Sequence, residues 1–432
     1  MKVLMFGWEF PPHISGGLGT ASYGLTKALL KCGVDLIFVV PKAYGDEKPG
    51  SIRLVNASEV AIDIQDEVFR EYLDKMSYVE VDSQLVPYAT EEEYFKIIEK
   101  TQQGVTAEKG SIHSRKYEFA GGYGKNLLEE VNRYAMVALT IARQYDFDLI
   151  HSHDWLTYMA GKEAKRITGK PLVVHMHATE FDRSGESVNQ QVYDIERAGM
   201  EAADKVIAVS HMTRSVVINR YGIHPDKVVT VHNGVEPPET EKDLEVKRHL
   251  DEKIVTFLGR ITFQKGPEYF IEAAHKVLQR DDNVRFVMAG SGDMLNKMIR
   301  RVAKLGISNK FHFTGFLKGD DVDKMFGMSD VYVMPSVSEP FGISPLEAMR
   351  SNVPVIISKQ SGVAEVLKHA IKVDFWDIDA MADAIYGLLH YNALPETFKK
   401  HGKEEVDNIK WDQAGEKVKE IYDQVLVDYH TK

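Results

Sequence analysis

"IVTFLGRITFQKG" (Ile254–Gly266) opens as a β-branched and aromatic run, stops at a glycine, and passes into a turn that carries Arg260 and Lys265. Four runs of the same kind follow: "VRFVMAG" (Val284–Gly290), "KFHFTG" (Lys310–Gly315), "VYVMP" (Val331–Pro335) and "VPVII" (Val353–Ile357), with helical periodicity between them. Strands this short and this apolar belong in parallel sheets covered by helices on both faces, which predicts a doubly wound α/β domain. In such a domain the favoured ligand position lies outside the carboxyl ends of the strands, where Arg260 and Lys265 fall.

The same alternation runs through the first half of the chain. Lys2–Gly7, Val34–Val40, Asp148–His151, Leu172–His175 and Lys205–Ala208 read as strands, and Ser22–Lys31 and Leu127–Gln144 as helices. Between residues 50 and 120 the pattern gives way to dense Asp, Glu and Tyr, followed by Gly121, Gly122 and Gly124, which suggests an insertion. "KVVTVHNGV" (Lys227–Val235) closes on an Asn-Gly turn, and the polar, proline-bearing "EPPETEKDLEVKRHLDEK" (Glu236–Lys253) is the best boundary. The expected division is 1–236 with an insertion at about 50–125, 237–395, and C-terminal helices over 396–432. Among these, Ile409–Tyr429 is one amphipathic helix with Trp411 and Ile421 as buried anchors.

A chain of 432 residues exceeds the usual single core, in keeping with two domains. A net charge of -11 disfavours a nucleic-acid partner. The single cysteine, Cys32, has no intrachain partner for a disulfide and is expected to be a buried thiol. The short apolar start, broken by Glu9, does not read as a signal peptide, and no run approaches eighteen apolar residues; a cytoplasmic protein without membrane attachment is expected.

Gly16-Gly17-Leu18-Gly19 lies between a strand and a helix, the context in which backbone amides receive an anion; a plain turn for close helix packing is the alternative. It is neither G-x-G-x-x-G nor followed by G-K-[ST], so dinucleotide and P-loop readings are disfavoured. Arg260 and Lys265 could clamp a diphosphate and neutralise charge on a departing phosphate. Gly290 in "AGSGD" (Ala289–Asp293) either opens backbone to a ligand or makes a turn. In "MPSVSEPFGISPLEAM" (Met334–Met349), Glu339 sits in a loop and Glu347 in a helix starting near Ser344. Two carboxylates so placed suit hydroxyl groups at different points along one ligand, though a loop charge and an exposed helix residue would look the same. "HSHDWLT" (His151–Thr157) and "HMHATEFD" (His175–Asp182) supply four histidines, but no Cys or H-E-x-x-H completes a ligand cage, and no metal is expected. A serine-nucleophile elbow is also missing.

In combination, "FGWEFPPHISGGLGTA" (Phe6–Ala21), "HSHDW", "HNGV", "GRITFQKG" and "SEPFGISPLEAM" resemble the retaining glycosyltransferases, specifically the bacterial and archaeal glycogen or starch synthases and their glucosyltransferase relatives. The resemblance spans nearly the whole chain. It implies two facing Rossmann-like domains with a deep inter-domain cleft, the glycosyltransferase B arrangement, and a C-terminal helix that returns to the first domain. By that resemblance Gly16, Gly17, Leu18 and Gly19 close over the donor phosphates. Arg260 and Lys265 stabilise the leaving diphosphate, Glu347 binds the ribose, Glu339 binds the donor sugar, and backbone around Phe341, Gly342 and Ile343 meets sugar or phosphate. Asp154 positions sugar or acceptor, and His177, with His175 as the neighbouring alternative, lies by the donor sugar. The implied activity moves glucose from ADP-glucose or UDP-glucose to an α-1,4-glucan with retention, needing no cofactor and no essential metal. A small glucoside, a sucrose-like product or another polysaccharide is the alternative within the class, and a noncatalytic sugar-binding protein lies outside it. Donor base and oligomeric state stay open.

Overall fold

The computed structural model describes residues 1–13, 17–47, 50–63, 114–117, 119, 127–236, 251–317 and 319–431. Gly16, most of the expected insertion and the polar stretch 237–250 lie outside the described residues. The strands are β1 (Lys2–Phe6), β2 (Asp35–Val40), β3 (Arg53–Asn56), β4 (Ile62–Asp63), β5 (Ser114–Arg115), β6 (Leu149–His153), β7 (Leu172–Met176), β8 (Lys205–Ala208) and β9 (Val228–Thr230). They are followed by β10 (Lys253–Leu258), β11 (Val284–Ala289), β12 (Phe311–Gly315), β13 (Val331–Met334), β14 (Val355–Ser358) and β15 (Ile371–Val373).

They form a seven-stranded sheet in the order β3-β2-β1-β6-β7-β8-β9 and a six-stranded sheet in the order β12-β11-β10-β13-β14-β15. β4 and β5 pair antiparallel by themselves. Both large sheets are parallel and flanked by helices, so each is Rossmann-like, with the order reversing at β1/β6 and at β10/β13. In register, Val3 lies between Leu36 and Leu149, and Val255 between Phe286 and Val331. The central strands are buried on both faces, as their unbroken apolar runs require: Val3, Leu4, Met5 and Phe6 have no exposed surface.

Most strands fall where the sequence places them. Three differences stand out. The first helix spans Gly17–Lys31, so Gly17 and Gly19 form its opening turn; the buried face of Ala21, Leu25, Ala28 and Leu29 outweighs their weak helix propensity. The irregular stretch begins with a sheet strand, β3, paired in parallel with β2. Cys32 is only partly buried, because it follows the last turn of that helix.

Contacts group Met1–His175, Ile195–Val206 and Lys419–Lys432 into one compact unit, and Met176–Asp194 with Ile207–Val418 into another. Within the second, Phe270, Phe286 and Phe311 lie at the centre of an apolar core between β10, β11 and the helix Pro267–Leu278. The helix Trp411–Thr431 buries Trp411 and Ile421, as its periodicity predicts. Among the described residues no helix is long and apolar enough to cross a membrane.

Candidate active site

The two strands flanking the order reversal of the second sheet, β10 and β13, release the chain into the segments that carry the charged candidates. After β10 the chain makes a 3-10 turn, Phe263–Lys265, closed by Gly266 in the left-handed region at φ 64°. A Cβ on Gly266 would lie 2.1 Å from the Pro335 carbonyl oxygen, so glycine lets this turn pack on the segment leaving β13. The Gln264 carbonyl accepts the amides of Val337 (2.9 Å) and Ser338 (3.4 Å), and the Gln264 side chain accepts Arg260 at 3.2 Å.

That packing brings Lys265 onto Glu339. The ammonium is ion-paired with Oε2 of Glu339, and the Ser336 hydroxyl donates to the same oxygen at 3.2 Å. Glu339 is 6% exposed, and its backbone is tied down on the other side: its amide donates to Gln360 O (3.0 Å) and its carbonyl accepts Gly362 N (2.8 Å). A carboxylate held at both backbone and side chain is a preorganised acceptor for hydroxyl groups. Gly342 takes φ 100°, and a Cβ there would sit 3.0 Å from Cγ of Glu339, so the residue also leaves room for the glutamate.

Glu347 lies on the seven-residue helix Ser344–Arg350. Burial pushes its carboxyl above the usual glutamate range, Arg350 pulls it back and Asp323 adds to the rise. Beside it, Phe341 is buried and Ile343 is the helix N-cap. Where the chain leaves β10 and β11 the glycines answer a packing need: a Cβ on Gly290, at φ 146°, would stand 1.8 Å from Gly259 O, and one on Gly292 2.2 Å from Ile261 O. Phe316, just beyond β12, keeps 49% of its surface exposed at the same sheet edge. Neither Phe316 nor the serines at 336 and 338 stood out in sequence. An aromatic residue directly after a strand-ending glycine was the available signal for the first.

In the other unit, β6 runs directly into Asp154, which adopts φ 62° and ψ 169° at the start of the helix Trp155–Thr168 and is 5% exposed. Such a conformation is costly for a non-glycine residue and recurs at functional positions. The Asp154 amide donates to His175 O at 2.9 Å. His151, His153 and His175 are buried, with ring centroids 4.3, 5.5 and 5.4 Å apart, and their ligand atoms lie within 4.8 Å of one another. His151 Nδ1 stands 2.5 Å from the Tyr422 hydroxyl. His175 is thus part of a packed imidazole stack, whereas His177, which groups with the second unit, lies past the end of β7 and is only partly covered. Desolvation still lowers the His177 pKa to about 3, which keeps its ring neutral at physiological pH. At Gly17 a Cβ would meet nothing within 4 Å, so the fold itself does not demand glycine there.

The structure therefore brings Arg260, Lys265 and Glu339 into one hydrogen-bonded group at a topological switch point. Asp154 and Gly17–Gly19 follow the strands β6 and β1, which flank the corresponding point of the first sheet.

Residues 239–405 match the model of the glycosyl transferases group 1, and residues 103–238 that of glycosyltransferase family 4. The chain is 29% identical to an uncharacterized glycosyltransferase of Methanocaldococcus jannaschii, over 98% of each. It is 31% identical over 309 residues to the alpha-maltose-1-phosphate synthase of Mycolicibacterium smegmatis, covering 64% of this chain and 79% of that one. Its fold matches sucrose-phosphate synthase from Thermosynechococcus elongatus with a TM-score of 0.71 over 99% of both chains, at 18% identity. A nucleotide-sugar-dependent enzyme of the glycosyltransferase B fold accounts for both sheets and for the charged group at the second switch point. The chain belongs to the retaining glycosyltransferases, and it transfers a sugar from a nucleotide-sugar donor. These relatives define that class as a whole rather than the glycogen and starch synthases within it.

Proposed function

We propose that the enzyme transfers glucose from ADP-glucose or UDP-glucose, with retention, to a hydroxyl of a small sugar-like acceptor. The observation that carries the reaction is the Lys265–Glu339 pair beside Arg260 at the β10/β13 switch point. The small acceptor is favoured by the relative at 31% identity, whose name specifies a phosphorylated disaccharide as product. Elongation of an α-1,4-glucan is the second reading, favoured by the motif resemblance of "SEPFGISPLEAM" and "GRITFQKG".

In this reading the bond from the anomeric carbon to the β-phosphate oxygen breaks, and its electron pair leaves with the nucleoside diphosphate. The acceptor oxygen bonds to the same face of the carbon, and its proton passes to the departing phosphate oxygen. Arg260 and Lys265 stabilise the negative charge as it grows, and Glu339 holds the sugar hydroxyls. Neutral His177 orients the sugar, and Gly290, Phe341, Gly342 and Ile343 meet the donor through backbone. Phe316 offers its exposed ring to the nucleoside base. No step in this scheme requires a metal.

The test crosses ADP-glucose and UDP-glucose with glycogen, maltooligosaccharides, fructose, glucose phosphates and buffer alone, following nucleoside diphosphate release and product mass. Turnover on a small acceptor and none on glucans is expected. Turnover on glucans alone returns the assignment to the second reading, and no transfer from either donor sinks both.

Glu347 is assigned to the ribose hydroxyls, and its raised pKa gives a second check. A carboxyl that the fold prefers protonated stabilises below the unfolded-state value near 4.5, and that stability is lost as pH rises through the raised folded value. Glu347→Gln removes the buried charge. The variant is expected to melt at or above the wild-type temperature at pH 7, with the difference vanishing toward pH 4.5. Loss of hydrogen bonds to a charged acceptor should meanwhile raise the donor KM by about tenfold to a hundredfold. Thermal melts across pH and steady-state kinetics read the two effects separately.

A further inference from the structure

We propose that Asp182 is a positioning residue that holds His177 and Glu339 in a common frame, and that Ser338 is the link through which it does so. The proposal rests on the reading above, in which both residues act on the donor sugar.

Asp182 is 4% exposed and both of its oxygens are engaged. Oδ2 accepts the amide and the hydroxyl of Thr179, each at 2.7 Å, while the Asp182 amide donates back to Thr179 Oγ1 at 3.3 Å. This reciprocal cap starts the short helix Glu180–Ser184 and fixes the chain as it leaves β7, where His177, Ala178 and Thr179 follow in sequence. The cap needs only one carboxylate oxygen. The other, Oδ1, accepts the hydroxyl of Ser338 at 2.5 Å, from a loop 156 positions away in the chain.

Ser338 directly precedes Glu339, and its amide joins that of Val337 on the Gln264 carbonyl, next to Lys265. One buried carboxylate thus joins the segment of His177, the loop of Glu339 and the turn of Lys265. Capping alone does not account for the third bond. A charge-assisted hydrogen bond at this length fixes geometry as well as adding attraction, and small displacements of groups near a reacting centre carry large rate costs.

Ser338→Ala cuts the link while leaving the Thr179–Asp182 cap whole. It is expected to lower kcat for transfer about tenfold to a hundredfold and to raise the share of donor lost to hydrolysis. The dissociation constant for ADP or UDP should stay within about twofold, with little change in melting temperature. Ser338→Thr, which keeps the hydroxyl, should recover most of the rate, and Asp182→Asn should fall with Ser338→Ala. An unchanged kcat in Ser338→Ala, or a loss that tracks unfolding or nucleotide binding, overturns the proposal.

Amide hydrogen exchange on the same variants separates this from the functional reading. Faster exchange in both 177–182 and 336–339 is expected in Ser338→Ala. If the wild type transfers no sugar, the functional reading falls, and the exchange result then decides the link: loosening of both segments upholds it, and unchanged exchange in 177–182 overturns it.

Discussion

Lys265→Ala is expected to reduce sugar transfer by about 10²–10³-fold in kcat, the usual cost of removing one preorganised group from developing negative charge. The structure adds a consequence for folding. Lys265 is the ion-pair partner of Glu339, whose side chain is 8% exposed against 22% for the lysine. Without the ammonium, that carboxylate keeps only the Ser336 hydroxyl on its side chain among the described residues. Removing one partner of a buried pair costs about 3 kcal/mol or more, whereas removing both leaves no uncompensated charge. Lys265→Ala should therefore melt well below the wild type, and the double variant Lys265→Ala/Glu339→Ala should recover much of the melting temperature while staying inactive. Kinetics and melts on the two single variants and the double variant check this. Recovery of activity along with stability would show that the lysine serves the fold and not the leaving phosphate.

Gly290→Ala should be among the most damaging single changes in the second unit, at about 4 kcal/mol from backbone strain and overpacking combined. The residue sits at φ 146°, outside the range open to alanine, and its added Cβ would stand 1.8 Å from the carbonyl oxygen of Gly259. Neither atom belongs to a flexible side chain, so relief requires the ends of β10 and β11 to move apart. These strands are paired from Lys253↔Val284 to Leu258↔Ala289, and the turn carrying Arg260 begins where that pairing stops. Chemical denaturation should show the stability loss, and nucleotide titration of the remaining folded protein should show weaker binding. A variant with wild-type stability would mean that the two strand ends are not in the close contact described.

The legible part of this protein was its repeating pattern. Continuous apolar runs such as "VRFVMAG" can be buried on both faces only in a helix-covered parallel sheet, so fold class followed from composition and spacing. The charged candidates were legible for a related reason: Arg260 and Lys265 stand immediately past a strand, where an α/β sheet presents ligands. The histidines were harder. "HSHDW" and "HMHATEFD" look alike in sequence, yet His151, His153 and His175 form a buried stack while His177 lies past the strand end. β7 ends at Met176, between His175 and His177, and strand ends are what periodicity defines least well. β3 was obscured for another reason, since its four residues are too few to show a period.

By itself, the sequence determined two Rossmann-like domains, because these follow from local patterns of apolar side chains, and its motifs carried the resemblance to the retaining glycosyltransferases. Only the tertiary structure decided which of the motif residues share a hydrogen-bonded group. The Lys265–Glu339 pair joins positions 74 apart, and the Ser338–Asp182 bond joins positions 156 apart. Such contacts depend on strand order and on the close backbone approaches that Gly266 and Gly290 permit, and no local pattern encodes them.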